Sequence, residues 1–201
     1  MDSGIETRTS TFERFRLAAL CVWTAAIVAA IGLYISDPQR FSPEHIASYI
    51  REFERAAIVI YLAISTLRGL TLLPSTPLVL TGTILFPHKP WLVLATSLFG
   101  IVASSSMIYW LSDALGTSGY FEREKPHQAA DIRARLEHPL GVLFVVLWAF
   151  VPLVPTDAVC YVAGSIKMNF TRFMAAIFLG ELVLCSIYIF SGSYLMKSLG
   201  V

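Results

Sequence analysis

The charged residues of this chain fall in clusters separated by long apolar gaps. From Leu17 to Ser36 there are 20 consecutive residues without Asp, Glu, Lys or Arg. Gaps of 12, 20 and 23 residues follow at Ala56–Leu67, Gly69–His88 and Pro90–Ser112, then gaps of 19 and 15 at His138–Thr156 and Leu182–Met196. About 20 apolar residues of helix cross the hydrocarbon core of a bilayer. The pattern therefore predicts an all-α integral membrane protein. Leu17–Ile35 follows Arg14 and Arg16, as a secretory signal would, but its apolar run of 19 residues exceeds the roughly 7–15 of a signal's hydrophobic region. It is read as an uncleaved first transmembrane helix over 17–36, after a cytoplasmic segment 1–16.

Two of the gaps are interrupted by proline. Leu70-Thr71-Leu72-Leu73-Pro74-Ser75-Thr76-Pro77 and Val151-Pro152-Leu153-Val154-Pro155-Thr156-Asp157 share a Pro-x-x-Pro spacing. Proline removes a backbone donor and clashes with the preceding turn. At membrane depth the freed groups are tolerated only inside protein or beside a wet cavity. The flanking arms are short, at Ala56–Leu70 and Leu78–Phe86 for the first break and Leu140–Val151 and Ala158–Ile166 for the second. Both stretches, 56–86 and 140–166, are read as re-entrant helical hairpins. A long apolar helix is expected after each, over 91–112 and 173–195, with Gly100 in the first answered by Gly180 in the second.

The chain thus carries an internal repeat of hairpin plus span within 37–201, behind an extra N-terminal helix. Arg123, Lys125, Arg133 and Arg135 place the linker 113–139 in the cytoplasm by the positive-inside rule. One span then separates the hairpins, so they enter from opposite faces, as in an inverted-topology repeat with its site near the midplane. Two segments read as interfacial helices: Pro43–Arg55, with Ile46, Tyr49, Ile50 and Phe53 on one face, and Pro126–Glu137, with Ala129, Ile132 and Leu136 on one face and Arg133 and Arg135 off it.

Composition agrees. Apolar residues make up 56% of the 201 and charged residues 14%, against about 25% charged in soluble domains; the mean hydropathy is +0.67. Lys plus Arg is 15 and Asp plus Glu 14, a net charge of +1, which attracts no polyanion and excludes nucleic acid as a partner. Cys21, Cys160 and Cys185 lie within apolar stretches and read as small buried hydrophobes.

An ionisable residue at membrane depth is a functional candidate. Arg68 precedes the first break, Asp157 follows the second, Glu181 lies in the last span and Lys167 near the exit of the second hairpin. Asp157 follows Pro155-Thr156 at a helix start. It reads as an N-cap or first-turn acid, a proton or cation site, or the partner of Arg68 across the repeat. Glu181 reads as a partner of Arg68 or Arg172, or as a protonated acid. Lys167 and Arg172 are expected to snorkel. The hydroxyls of Thr71, Ser75 and Thr76, and of Thr156 and Tyr161, could satisfy freed backbone groups or bind phosphate. The candidate substrate or ion site is therefore Arg68, Pro74, Ser75, Pro77, Pro152, Pro155, Thr156, Asp157, Tyr161, Gly164 and Glu181.

At Arg68 to Gly82, at Val151 to Gly164 and at Asn169-Phe-Thr-Arg-Phe173 with Gly180, the chain resembles the DedA superfamily, also called SNARE-associated Golgi or VTT-domain proteins. The resemblance covers roughly Phe53–Tyr194. It implies two facing re-entrant helices and a role in moving lipids, phospholipid or polyprenyl phosphate, with links to proton-motive force. Two departures stand out. The first hairpin motif lacks the acid of the DedA branch, and Ala149 occupies a position where members often carry Arg.

The function expected is a lipid transporter or scramblase in a prokaryotic cytoplasmic membrane. A proton- or cation-coupled carrier for a small solute is the alternative. There is no His-Glu-x-x-His, nucleophile elbow or Asp-rich metal motif, and His45, His88, His127 and His138 are scattered, so neither an enzyme nor a metal or other cofactor is expected. Compatible partners are membrane lipids, protons and further copies of the chain.

Overall fold

The computed structural model describes residues 3–53, 56–114, 126–151 and 155–198. They form helices α1 (Ser3–Ser36), α2 (Pro43–Arg51), α3 (Ala57–Leu67), α4 (Thr76–Leu85), α5 (Pro90–Ala114), α6 (Pro126–Glu137), α7 (Pro139–Phe150), α8 (Thr156–Ser165) and α9 (Phe170–Ser198), with 3₁₀ turns at Pro38–Phe41 and Arg68–Thr71. No strand occurs among the described residues. Pro152, Leu153 and Val154 of the second break lie outside them.

Proline sets many of the starts. α2, α5, α6 and α7 open on proline, and Pro77 lies in the first turn of α4, where the missing N–H has no helical partner to lose. Ser42 caps α2 by accepting from the His45 N–H, and the His138 ring caps α7 by accepting from the Leu140 N–H. Just past the end of α8, Lys167 turns left-handed, with a φ of 52°. The Met168 N–H bonds the Ala163 carbonyl and the Lys167 N–H that of Gly164, which closes the helix as a Schellman motif.

α5 and α9 lie side by side at the centre. Each contains a 23-residue stretch long and apolar enough to cross a membrane, Pro90–Ser112 and Phe170–Gly192. The arms around them follow one rule. The first arm of each break packs on the span of its own half, α3 on α5 and α7 on α9; the second packs on the span of the other half, α4 on α9 and α8 on α5. Glycine permits the closest approaches. A Cβ at Gly100 would meet the Ser65 Cβ of α3 at 2.9 Å, and one at Gly180 would meet the Val146 carbonyl and Ala149 Cβ of α7 at 2.5 and 2.7 Å. The buried core runs between the layers through Val93, Ile101, Ile108, Val159, Phe173 and Ile177.

The outside is apolar too. Trp91, Phe99, Trp110, Leu140, Leu147, Leu179, Val183 and Ile187 are all more than half exposed. At roughly 25 cal/mol per Å² of apolar surface, so continuous a belt is unstable in water and suits lipid. α1 shows the same pattern. Trp23, Ile27, Ala30 and Tyr34 turn partly inward, while Val22, Val28, Leu33 and Ile35 are exposed.

Several sequence expectations change. The helix that contains the expected span 17–36 begins upstream of it, at Ser3. Cys21 is exposed on α1, whereas Cys160 and Cys185 are buried. α2 ends at Arg51 and buries Ala47 and Ile50, so small Ala47 seats it on α4 while Tyr49 and Phe53 face outward. On α6, Ile132 is exposed and Arg133 turns inward, because Arg133 has a backbone partner described below. The spans are longer than expected, since both helices continue past their apolar centres.

Candidate functional site

The chain breaks at the first Pro-x-x-Pro by a left-handed residue, Leu72, at φ 56°. Side chains cover most of the carbonyls so freed. The Thr71 hydroxyl donates to the Arg68 carbonyl at 2.6 Å, the Trp23 indole N–H of α1 to the Leu70 carbonyl at 2.9 Å, and Arg68 Nη1 to the Leu73 carbonyl at 3.0 Å. The Leu72 N–H reaches the Gly69 carbonyl. The irregular backbone here is thus held by protein groups in place of water.

At the second break, the start of α8 carries two adjacent polar residues that reach in different directions. Asp157 Oδ2 accepts from Arg68 Nη1 at 2.9 Å, and the two side chains are 5% and 0% exposed. The Thr156 hydroxyl donates to Glu181 Oε1 of α9 at 2.7 Å. The Cys185 thiol, one turn further along α9, lies 3.9 Å from the other Glu181 oxygen. One helix start therefore ties the first break to the last span. The position of Asp157 in the first turn also lets the α8 dipole favour its negative charge.

The ion pair is incompletely satisfied. Arg68 Nη2 and Asp157 Oδ1 are both buried and have no hydrogen-bond partner among the described residues. Beside them the backbone is bare. A Cβ on Gly69 would lie 2.6 Å from the Ser104 Cβ and 3.3 Å from Asp157 Oδ1. A buried pair of this kind adds little net stability when intact, but leaves an uncompensated charge when one partner is lost.

Arg68 also lines a cavity of about 100 Å³ with Leu73, Pro74, Pro77 and Leu78. Phe41, Ile46 and Ile64 of its wall are shared with a larger groove of about 710 Å³. That groove is rimmed by Asp37, Arg40, His45 and Tyr49 at the corner after α1, where Arg40 and Asp37 pair at 2.7 Å. The far half has an apolar groove of about 400 Å³ between α6, α7 and α8, with Arg135 as its charged lining residue.

The structure brings Arg68, Thr156, Asp157 and Glu181 together, with Pro74 and Pro77 on the cavity beside Arg68. Pro155 precedes α8 and its carbonyl faces the Trp148 N–H at a long 3.5 Å. The Ser75 carbonyl takes the first N–H groups of α4, and its hydroxyl makes no cap. Tyr161 lies against Trp23, with ring centroids 5.7 Å apart. Gly164 is remote from this cluster. A Cβ there would collide with Ser112 and the Tyr109 carbonyl of α5, so it is a packing glycine. Glu181 pairs with neither arginine, since Thr156 takes it and Arg172 Nη1 donates to the Glu137 carbonyl. Pro152 lies outside the described residues. Trp23 and Gly69 were not foreseen. The lone indole N–H in an apolar helix was the available signal for Trp23, because a buried tryptophan N–H seeks a partner.

A helical bundle with an apolar outer belt, two long apolar spans and two broken helices joined by buried polar side chains is a membrane protein. The family model described as VTT domain matches residues 73–194, and the chain belongs to that family, the DedA/SNARE-associated Golgi family. Among curated proteins, Uncharacterized protein MJ0201 of Methanocaldococcus jannaschii is 42% identical over 43 residues, 21% of this chain and 26% of that one. The chain thus matches about a quarter of that relative's length. No solved structure matches the chain.

Proposed function

We propose that the protein moves lipid between leaflets of a prokaryotic cytoplasmic membrane, as a transporter or scramblase that leaves its substrate chemically unchanged. The two broken helices act as re-entrant hairpins of an inverted repeat that enter from opposite faces. The exchange of second arms between halves supports that reading, because α4 lies on α9 and α8 on α5. So does a second correspondence. Arg51 of α2 donates to the Ile84 carbonyl near the end of α4, and Arg133 of α6 to the Ile166 carbonyl at the end of α8, each across 33 residues.

The observation that carries the proposal is Arg68, buried at the break yet lining a cavity that adjoins an open groove. Arg68 can attract a headgroup phosphate in that otherwise apolar cavity while the acyl chains stay in the surrounding lipid. The test is reconstitution into liposomes with labelled phospholipid or polyprenyl phosphate. Transbilayer movement above empty vesicles, with or without a proton gradient, is expected, and its absence under both conditions sinks the reading. Single cysteines at Ser75 and Thr156 test the hairpins, since labelling from the same side for both would contradict opposed entry.

A further inference from the structure

α8 turns two different faces to its surroundings. At 3.6 residues per turn, Ala158 and Val162 lie on the opposite face from Thr156 and Asp157. With Leu136 of α6 and Phe144 and Trp148 of α7 they line the apolar groove of about 400 Å³, a size within the range of ligand sites. It shares no lining residue with the cavity beside Arg68. The one polar atom of Trp148 faces the Pro155 carbonyl. Phe144 and Val162 are each about half exposed, and Phe144 continues the exposed stripe of Leu140, Leu143 and Leu147 along α7. The groove therefore adjoins the apolar belt, where the neighbouring molecules are lipid chains.

A chain gains little by leaving other chains for such a groove, because lipid tails are as apolar as leucine. Any preference must come from the headgroup. Arg135 is the charged residue of the lining. It is exposed and has no ion pair or hydrogen bond among the described residues. Asp131, one turn earlier on α6, is not paired with it, and Glu137 Oε1 accepts from the Asn169 N–H. Arg133 is held to the end of α8 and Arg172 to the end of α6 by the bonds to the Ile166 and Glu137 carbonyls. Among the described side chains of α6, the end of α8 and the start of α9, four cations, Arg133, Arg135, Lys167 and Arg172, thus face two acids, Asp131 and Glu137. A surplus of positive charge beside an apolar groove between helices suits an anionic headgroup. A zwitterionic one brings no net charge to meet it.

We propose that this groove holds one acyl chain of an anionic phospholipid whose headgroup phosphate lies on Arg135, a resident lipid that fastens α6 against α7 and α8. The site lies apart from Arg68 and Asp157 and does not depend on transport.

The experiment uses the full-length chain with Trp23, Trp91 and Trp110 changed to Phe, which leaves Trp148 as its one tryptophan. It is reconstituted in phosphatidylcholine vesicles with a rising share of brominated phosphatidylglycerol or brominated phosphatidylcholine, and quenching of Trp148 is followed. Phosphatidylglycerol is expected to quench at about a fivefold lower share, the preference that one arginine gives near an anionic surface. Arg135→Gln should bring that ratio below about twofold, whereas Arg40→Gln, outside the groove, should leave it unchanged. Equal quenching by the two lipids overturns the headgroup choice, and a preference that survives Arg135→Gln overturns its assignment. A companion variant that keeps Trp91 alone reports ordinary contact with lipid. If Trp91 is quenched and Trp148 is not, the groove is covered by protein, such as a second copy of the chain, and the proposal fails. Should the triple variant not fold, thermal unfolding of the otherwise native protein in detergent decides. Added phosphatidylglycerol must raise the midpoint more than phosphatidylcholine does, and Arg135→Gln must abolish the difference; equal shifts overturn the proposal. None of these readings requires transbilayer movement, so a protein that moves no lipid would leave them intact.

Discussion

The two halves of the molecule share a scaffold and divide the chemistry. Each has a short helix whose arginine bonds a carbonyl at the end of the second arm, a broken helix, and a long apolar helix with a glycine where the first arm crosses. The charges do not repeat. The first half contributes the guanidinium at its break, and the second contributes Asp157, Thr156 and Glu181. Similar packing in the two halves therefore accompanies two breaks that meet at Arg68 and Asp157. What they can bind depends on residues present in one half and absent from the other, and the contrast between Arg68 and Ala149 is its clearest case.

The largest effect is expected where the halves exchange charge. Arg68→Ala leaves Asp157 buried without its partner, and should cost about 3–5 kcal/mol of stability. The double substitution Arg68→Met with Asp157→Leu should recover most of that loss, since buried pairs replaced by apolar side chains are often near neutral. Unfolding of purified protein in detergent or bicelles checks both. If the double variant is as unstable as the single, the pair is a structural necessity, and the division of labour between the halves is wrong.

The glycines give the next step. Gly180→Ala pushes its Cβ against a carbonyl and against Ala149, while Gly100→Ala meets a serine Cβ at a longer distance. Overpacking of this kind costs about 1–3 kcal/mol. Gly180→Ala should sit at the upper end and Gly100→Ala at the lower, because the contacts at Gly180 are two and shorter, 2.5 and 2.7 Å against 2.9 Å. The same unfolding measurement ranks them. Equal losses would mean that the two crossings are as tight as each other.

How legible this was follows the same division. Periodicity and proline spacing located the helices and both breaks, because an apolar run has one stable form in lipid and proline has few places within it. The Gly100–Gly180 correspondence was visible for the same reason. The partner of Glu181 was not legible, because α8 could have presented Thr156 or Asp157 to α9, and helix rotation decides which. Nor was the inward turn of Arg133, since amphipathic spacing assigns an arginine to the outer face unless a helix end lies within its reach. The packing of Gly164 on α5 was not legible either, because a glycine beside a proline motif looks the same whether it admits a ligand or a neighbouring helix.

Trp23 sharpens the comparison from outside the two halves. α1 has no counterpart in the second half, yet its indole N–H bonds the Leu70 carbonyl in the first break and its ring lies on Tyr161 of α8. Trp23→Phe keeps the ring and removes the donor, so the expected loss is about 1 kcal/mol, the net worth of one such bond plus part of the cost of a bare carbonyl.

The smallest effects test the two arginine latches against each other. Arg133 donates to the Ile166 carbonyl at 2.6 Å from a partly buried position, while Arg51 donates to the Ile84 carbonyl at 2.9 Å and is exposed. A cation at a helix C-terminus contributes about 0.3–1 kcal/mol, more where it is partly buried. Arg133→Met should therefore lose close to 1 kcal/mol and Arg51→Met only a few tenths. Hydrogen exchange of the last turns of α8 and α4 reads the two ends separately. Faster exchange confined to α8 in the first variant and to α4 in the second is expected if each short helix holds its own half. Loosening of both arms by either change would mean that the halves do not act as separate units, because a local hydrogen bond at one end of the molecule would then be felt at the other through the buried ion pair that joins them.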